Sequence, residues 1–115
     1  MKLATVFVIA LTGLWACADD RPPAPYNLTA TSEDGGAALR WESGAADRFV
    51  IQRSEGTDYN FVEFAWTRGS QRFFDDYDVI PNEWYFYRVA AFYDAWGGEE
   101  NVYSPFSPEV GVEIK

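Results

Sequence analysis

The chain has 115 residues, the length of one domain of ordinary size. Hydrophobic residues make up 48% of it and aromatics 18%, enough for a packed core, which excludes an intrinsically disordered chain. Its 18 acidic residues against 9 basic ones give a formal net charge of -9, a surface that repels phosphate backbones and so excludes nucleic acid as a partner.

At the N-terminus Lys2 supplies a positive start and Leu3 to Leu14 is a mostly apolar run. As a helix this run would span roughly 18 Å at about 1.5 Å per residue, well short of a hydrocarbon core of about 30 Å. A charged start, a short apolar stretch and a small residue at its boundary read as a secretory signal. The other reading is a buried helix, but nothing polar interrupts the run to make a solvent face. Cys17, the only cysteine, lies just beyond it. It has no second cysteine for an intramolecular disulfide and no histidine anywhere in the chain to activate it as a nucleophile. Leu14-Trp15-Ala16-Cys17 resembles the lipobox of bacterial lipoproteins: an aliphatic residue, two mostly small residues and a cysteine. The resemblance implies that residues 1–16 are a signal peptide cut off before Cys17, whose thiol then carries the lipid that holds the chain to a membrane. A simply secreted protein is the alternative. Residues 17–24, the cysteine and "ADDRPPA", have the composition of an extended tether. Eight extended residues reach at most about 28 Å, so the folded part works close to its membrane. Ala18 stands where an aspartate marks inner-membrane retention in Gram-negative lipoproteins, which favours the outer membrane.

From Tyr26 onward short β-rich runs alternate with turn clusters, and no stretch reads as a long amphipathic helix. The runs are "YNLTAT" (26–31), "AALRWE" (37–42), "RFVIQRS" (48–54), "FVEFAWT" (61–67), "QRFFDD" (71–76), "WYFYRVAAFY" (84–93) and, after a break at "DAWGGEEN", the closing "PEVGVEIK". Seven strands at this spacing predict an all-β sandwich. Alternate residues of a strand face opposite sides. Val110, Val112 and Ile114 therefore share one face against Glu109 and Glu113, and Phe49 and Ile51 share a face against Val50 and Gln52.

The stretch "VIPNEWYFYRVAAF" (79–92) resembles the fibronectin type III pattern: an aliphatic residue, a turn with proline, then Tyr-x-aromatic-Arg-Val-x-Ala. Val79, Pro81 and Tyr85 match it, and Asn82 stands where glycine is usual, tolerating similar turn dihedrals. "PPAPYNLTA" resembles the proline-led first strand of that family, Trp41 in "LRWE" its core tryptophan, "FVIQRS" its third strand, and "YSPFSPEV" the serine- and proline-rich lead-in to its last. The resemblance implies that residues 25–115 form a seven-stranded, immunoglobulin-like β-sandwich with no obligatory disulfide. Trp41 and Tyr85 are then structural residues, the second a corner tyrosine whose hydroxyl bonds back to upstream backbone.

The usual catalytic chemistry is missing. Without histidine there is no imidazole base or ligand, and neither a phosphate loop nor a nucleophile elbow occurs. Carboxylate pairs serve glycoside hydrolysis only across a deep cleft, which a small sandwich does not offer. The expectation is a protein that is not an enzyme and needs no cofactor or metal. Calcium at Asp75, Asp76 and Asp78 is the alternative use of a carboxylate cluster, against solvated turn residues. Asn27-Leu28-Thr29 has the form of a glycosylation sequon and reads as chance in a bacterium.

The surface singled out follows from parity. If Tyr85, Tyr87, Val89 and Ala91 face the core, then Trp84, Phe86, Arg88, Ala90 and Phe92 face out, near Val50 on the adjacent strand and with Trp96 in the loop beyond. Such rings can form an exposed patch larger than monomers usually leave uncovered, or they can lie under Arg88 and neighbouring stems. The patch suits a protein partner at the cell envelope. A glycan is the second reading, for which only Arg88 and Gln52 supply polar groups on the outward row, and a spacer in an envelope assembly is the third.

Overall fold

A computed structural model describes residues 21–115, so the signal peptide expected over 1–16 and the lipid expected on Cys17 lie outside the described residues. The first hairpin joins β1 (Tyr26–Glu33) to β2 (Gly36–Glu42). Its two turn residues, Asp34 and Gly35, have φ of 51° and 82°, the left-handed pair that a two-residue hairpin turn demands. Across the other edge of β2 lies β5 (Phe73–Asp76), completing a three-stranded antiparallel sheet.

The second sheet is built on β3 (Arg48–Glu55) and β6 (Trp84–Trp96), paired over eight positions from Arg48↔Phe92 to Glu55↔Tyr85. On the outside of β3 lies β4 (Val62–Arg68). The far edge of β6 is covered by two segments end to end, β7 (Glu99–Tyr103) and β8 (Val110–Glu113). This is the expected all-β sandwich, with its last strand in two pieces. The break expected at "DAWGGEEN" is instead a hairpin. β6 runs on to Trp96, and Gly97 and Gly98, with φ of 59° and 88°, turn the chain straight back into β7.

Between β7 and β8, Pro105 and Pro108 have no N–H to give a strand ladder. Two buried serines take over the pairing. Ser104 donates its N–H to the carbonyl of Ala91 at 2.9 Å, and its hydroxyl accepts the Ala91 N–H at 2.8 Å. Ser107 does the same for Val89, at 2.8 and 3.0 Å. The middle of β6 is thereby bonded on both edges without a regular neighbour.

The core lies between the sheets. Leu39, Phe49, Ile51, Tyr87, Val89, Ala91 and Ile114 are fully buried, and Tyr85 and Val112 nearly so. The inward row of β6 is the one parity predicts. Trp41 is buried with its ring edge-on to Phe49, centroids 5.5 Å apart. The hydroxyl of Tyr85 accepts the Ile80 N–H at 2.9 Å, and Asn82 takes φ of 71° in the turn between them. Pro22 and Pro25 are fully buried, so the packed domain reaches into the stretch that reads as tether in the sequence.

One polar group interrupts this core. Arg53, Asp76 and Tyr87 are all buried. Arg53 Nη1 bonds Asp76 Oδ2 at 2.9 Å, and the Tyr87 hydroxyl donates to the same oxygen at 2.6 Å. The Asp78 N–H bonds Asp76 Oδ1 at 2.9 Å, and the Asp78 carbonyl accepts from Arg53 at 2.7 Å. The guanidinium lies over the Phe64 ring, 4.0 Å from its centroid. Burial, then the hydrogen bond to Asp76 and its charge, push the Tyr87 phenol far above its ordinary range. A phenol harder to ionise folded than unfolded contributes stability that is complete below the unfolded value, about 10, and lost as pH rises beyond it. The urea midpoint is therefore expected to stay level from pH 8 to about 10 and to fall above it, less steeply for Tyr87→Phe. An equally steep fall in that variant would assign the effect to other groups.

Candidate functional site

The outer face of the larger sheet can be followed in cross-strand rows, because opposed residues in antiparallel strands point to the same side. At one end Arg68, Arg48, Phe92 and Tyr103 lie in line across β4, β3, β6 and β7. Next come Trp66, Val50 and Ala90, then Glu63, Gln52 and Arg88. Ser54, Phe86 and Gly111 follow, and Trp84 opposite Glu113 closes the face.

Two residues expected on an exposed patch are not exposed. Phe92 is buried because Trp66 and Tyr103 lean onto it edge-on, 5.4 and 5.0 Å away, and the Arg48 guanidinium lies 5.1 Å from its ring. Val50 is buried between its row neighbours Trp66 and Ala90. Trp96 also stands apart from the face: its ring is 4.7 Å from Tyr93 and packs against the core. Trp84 and Phe86 remain. Their rings stack at 6.1 Å with an interplanar angle of 19°, and Trp84 is 47% exposed. Phe86 is half-buried over Gly111, where an added Cβ would come within 2.6 Å of its ring. The single contiguous patch expected from parity is thus a smaller pair at one end.

The middle of the face is closed. The Arg88 guanidinium sits between the rings of Phe61 and Phe106, at 4.3 and 4.5 Å, and its Nε donates to Gln52 at 2.8 Å. Stem packing and cation–π contact therefore do cover the centre. The two polar groups that a glycan reading needed on this row are spent on each other.

The carboxylates considered for calcium are matched to arginines. Asp75 bonds Arg40 at 3.1 Å, Asp76 is enclosed by Arg53 and Tyr87, and Asp78 lies 3.7 Å from Arg53. Among the described residues no group of three or more acidic, cysteine or histidine side chains gathers to hold a metal ion.

Arg48, Trp66, Arg68 and Tyr103 are surface residues that the sequence did not single out. Tyr103 was hidden by the unrecognised hairpin. Trp66 was hidden by a register irregularity between β3 and β4 near Ile51 and Gln52, which obscures strand parity around Phe64.

No protein-family model matches this chain, and neither does any curated protein. Solved structures do match. An Fn3-like protein from Clostridium thermocellum superposes with a TM-score of 0.66 at 21% identity, covering 82% of this chain and 94% of the other. The fold is that of a fibronectin type III domain. A myokine structure matches this fibronectin type III sandwich with a TM-score of 0.62 at 19% identity, covering 81% of the chain and 97% of its own. Pectate lyase Pel3 from Pectobacterium carotovorum matches with a TM-score of 0.56 at 21% identity, over 75% of this chain but only 26% of the lyase. At these identities the likeness is one of fold.

Proposed function

We propose that this chain is a non-catalytic binding module of the bacterial cell envelope, lipid-anchored through Cys17, that docks a protein partner on Trp84 and Phe86. The observation that carries the reading is the stacked pair itself. An indole nearly half exposed is stacked on a second ring on the central strand of the sheet, and Gly111 leaves the space in which that ring sits. Tryptophan is among the residues on which protein contacts concentrate their energy. The fibronectin type III fold supports a binding or structural role, and Asp75, Asp76 and Asp78 are each matched to an arginine.

Trp84→Ala is the clean variant, because Phe86 is half-buried and Phe92 fully covered, so changes there would also unsettle folding. Crosslinking the full chain in its native membrane should capture a partner with the wild type. Trp84→Ala should lose about 30-fold of that affinity, the equivalent of about 2 kcal/mol, with an unchanged melting temperature. Equal capture by both would refute the docking site. Intact mass of the extracted chain, expected to show loss of residues 1–16 and added lipid, tests the anchor.

A further inference from the structure

Arg48 and Arg68 face each other directly across β3 and β4 at the end of the outer face away from Trp84, and both are exposed. Like charges directly opposed on a sheet are unfavourable. Asp94 reaches Arg48 at 3.4 Å, but among the described residues Arg68 has no carboxylate within salt-bridge distance. Every other described basic side chain is engaged, in a chain of net charge -9. Arg68 is thus a water-exposed cation beside another, with no carboxylate of its own.

The surroundings are aromatic and wet together. Trp66, two residues before Arg68 on the same face of β4, is 36% exposed, and Tyr103 at the other end of the row is 46% exposed. Their rings are 6.2 Å apart and tilted by 60°, with Phe92 as a floor beneath both. The Trp66 Nε1–H donates to Glu63 at 2.7 Å, which fixes the indole.

We propose that this corner binds an oligosaccharide bearing a carboxylate, a uronic-acid ring whose C–H face lies on Trp66 with Tyr103 at its edge and whose carboxylate meets Arg68 and its cross-strand neighbour Arg48. Charge-assisted bonds from two planar guanidiniums suit one carboxylate, and Asp94 and Glu63 at the rim offer acceptors for sugar hydroxyls. Trp, Tyr and Arg also concentrate at protein hot spots, so an acidic peptide is the competing occupant. The overall negative charge works against polyanions, so the ligand is a short oligomer of which one carboxylate enters the corner. The site is independent of the Trp84 reading, since Arg88, packed between Phe61 and Phe106, closes the face between them.

The test is calorimetric titration of the full chain in detergent. The probes are short oligomers of galacturonate, glucuronate and guluronate, each beside its carboxyl-reduced neutral counterpart, and a glutamate-rich peptide. At least one acidic oligomer should saturate, with its reduced counterpart at least tenfold weaker. Arg68→Gln should weaken that binding at least tenfold at an unchanged melting temperature. Trp84→Ala should leave it unchanged, whatever the fate of protein docking. The proposal is overturned if no acidic oligomer saturates, if the reduced forms bind equally, or if Arg68→Gln has no effect. Tighter binding of the glutamate-rich peptide than of every oligosaccharide would also overturn it and assign the corner to an acidic protein.

Discussion

Asp76→Ala is expected to cost the domain about 3–5 kcal/mol, the usual penalty for removing one partner of a buried ion pair. Arg53 and Asp76 have side chains only 8% and 1% exposed, so the guanidinium left behind keeps only the exposed Glu55, 2.9 Å away, as a close counter-ion and recovers little solvation. The Tyr87 hydroxyl loses its acceptor and the Asp78 N–H its partner in the same stroke. Urea unfolding of the two proteins side by side gives the number. Replacing the whole network together, Arg53→Met with Asp76→Leu and Tyr87→Phe, should cost less than the single change, because no buried charge is then stranded and only the part-buried N–H and carbonyl of Asp78 lose their partners. A loss below about 1 kcal/mol for Asp76→Ala would mean that water reaches Arg53 and that the group is not a dry network.

Ser104→Ala combined with Ser107→Ala is expected to be the next most damaging change. Each hydroxyl accepts a buried N–H of β6, from Ala91 and Val89. A buried donor left unpaired costs about 1–3 kcal/mol, so the pair of changes should lower the melting temperature more than either alone. Hydrogen exchange locates the effect: the amides of Val89 and Ala91 should exchange faster, and those of Leu39 on the other sheet much less so. The serines also hold their aromatic neighbours. Tyr103 leans on Phe92 and Phe106 on the Arg88 guanidinium, so the double variant should raise the exposure of the outer face as well. Protected amides at 89 and 91 in the double variant would show that another group satisfies them.

The parts of this fold that were readable from the chain are those set locally. Alternation placed Tyr85, Tyr87, Val89 and Ala91 inward and Val112 with Ile114, because a strand's faces follow from sequence alone. The corner at Pro81–Tyr85 was readable only through the resemblance of residues 79–92 to the fibronectin type III pattern. Exposure on the outer face was not readable, since it depends on which side chains lean over from other strands. Phe92 and Val50 point outward as expected and are nonetheless covered, by a tryptophan on an edge strand and a tyrosine from a hairpin that Asp94 and Ala95, poor strand formers, concealed. Asp76 reads as one of three loop carboxylates. Only the packing of β5 against the corner turns it inward to Arg53.

The length of β6 has a quantitative consequence. Trp84 and Phe92, which mark the two ends of the outer face, are eight residues apart on one unbroken strand, a separation of roughly 27 Å at about 3.4 Å per residue. No single sugar ring spans that distance, so each end fills on its own. A large partner carrying a docking surface and an acidic glycan at a matching spacing would, once held at one end, meet the other at an effective concentration on the order of millimolar. Two contacts of about 10 μM each would then combine into one of roughly 0.1 μM, with the stiffness of one strand as the measure that selects between partners.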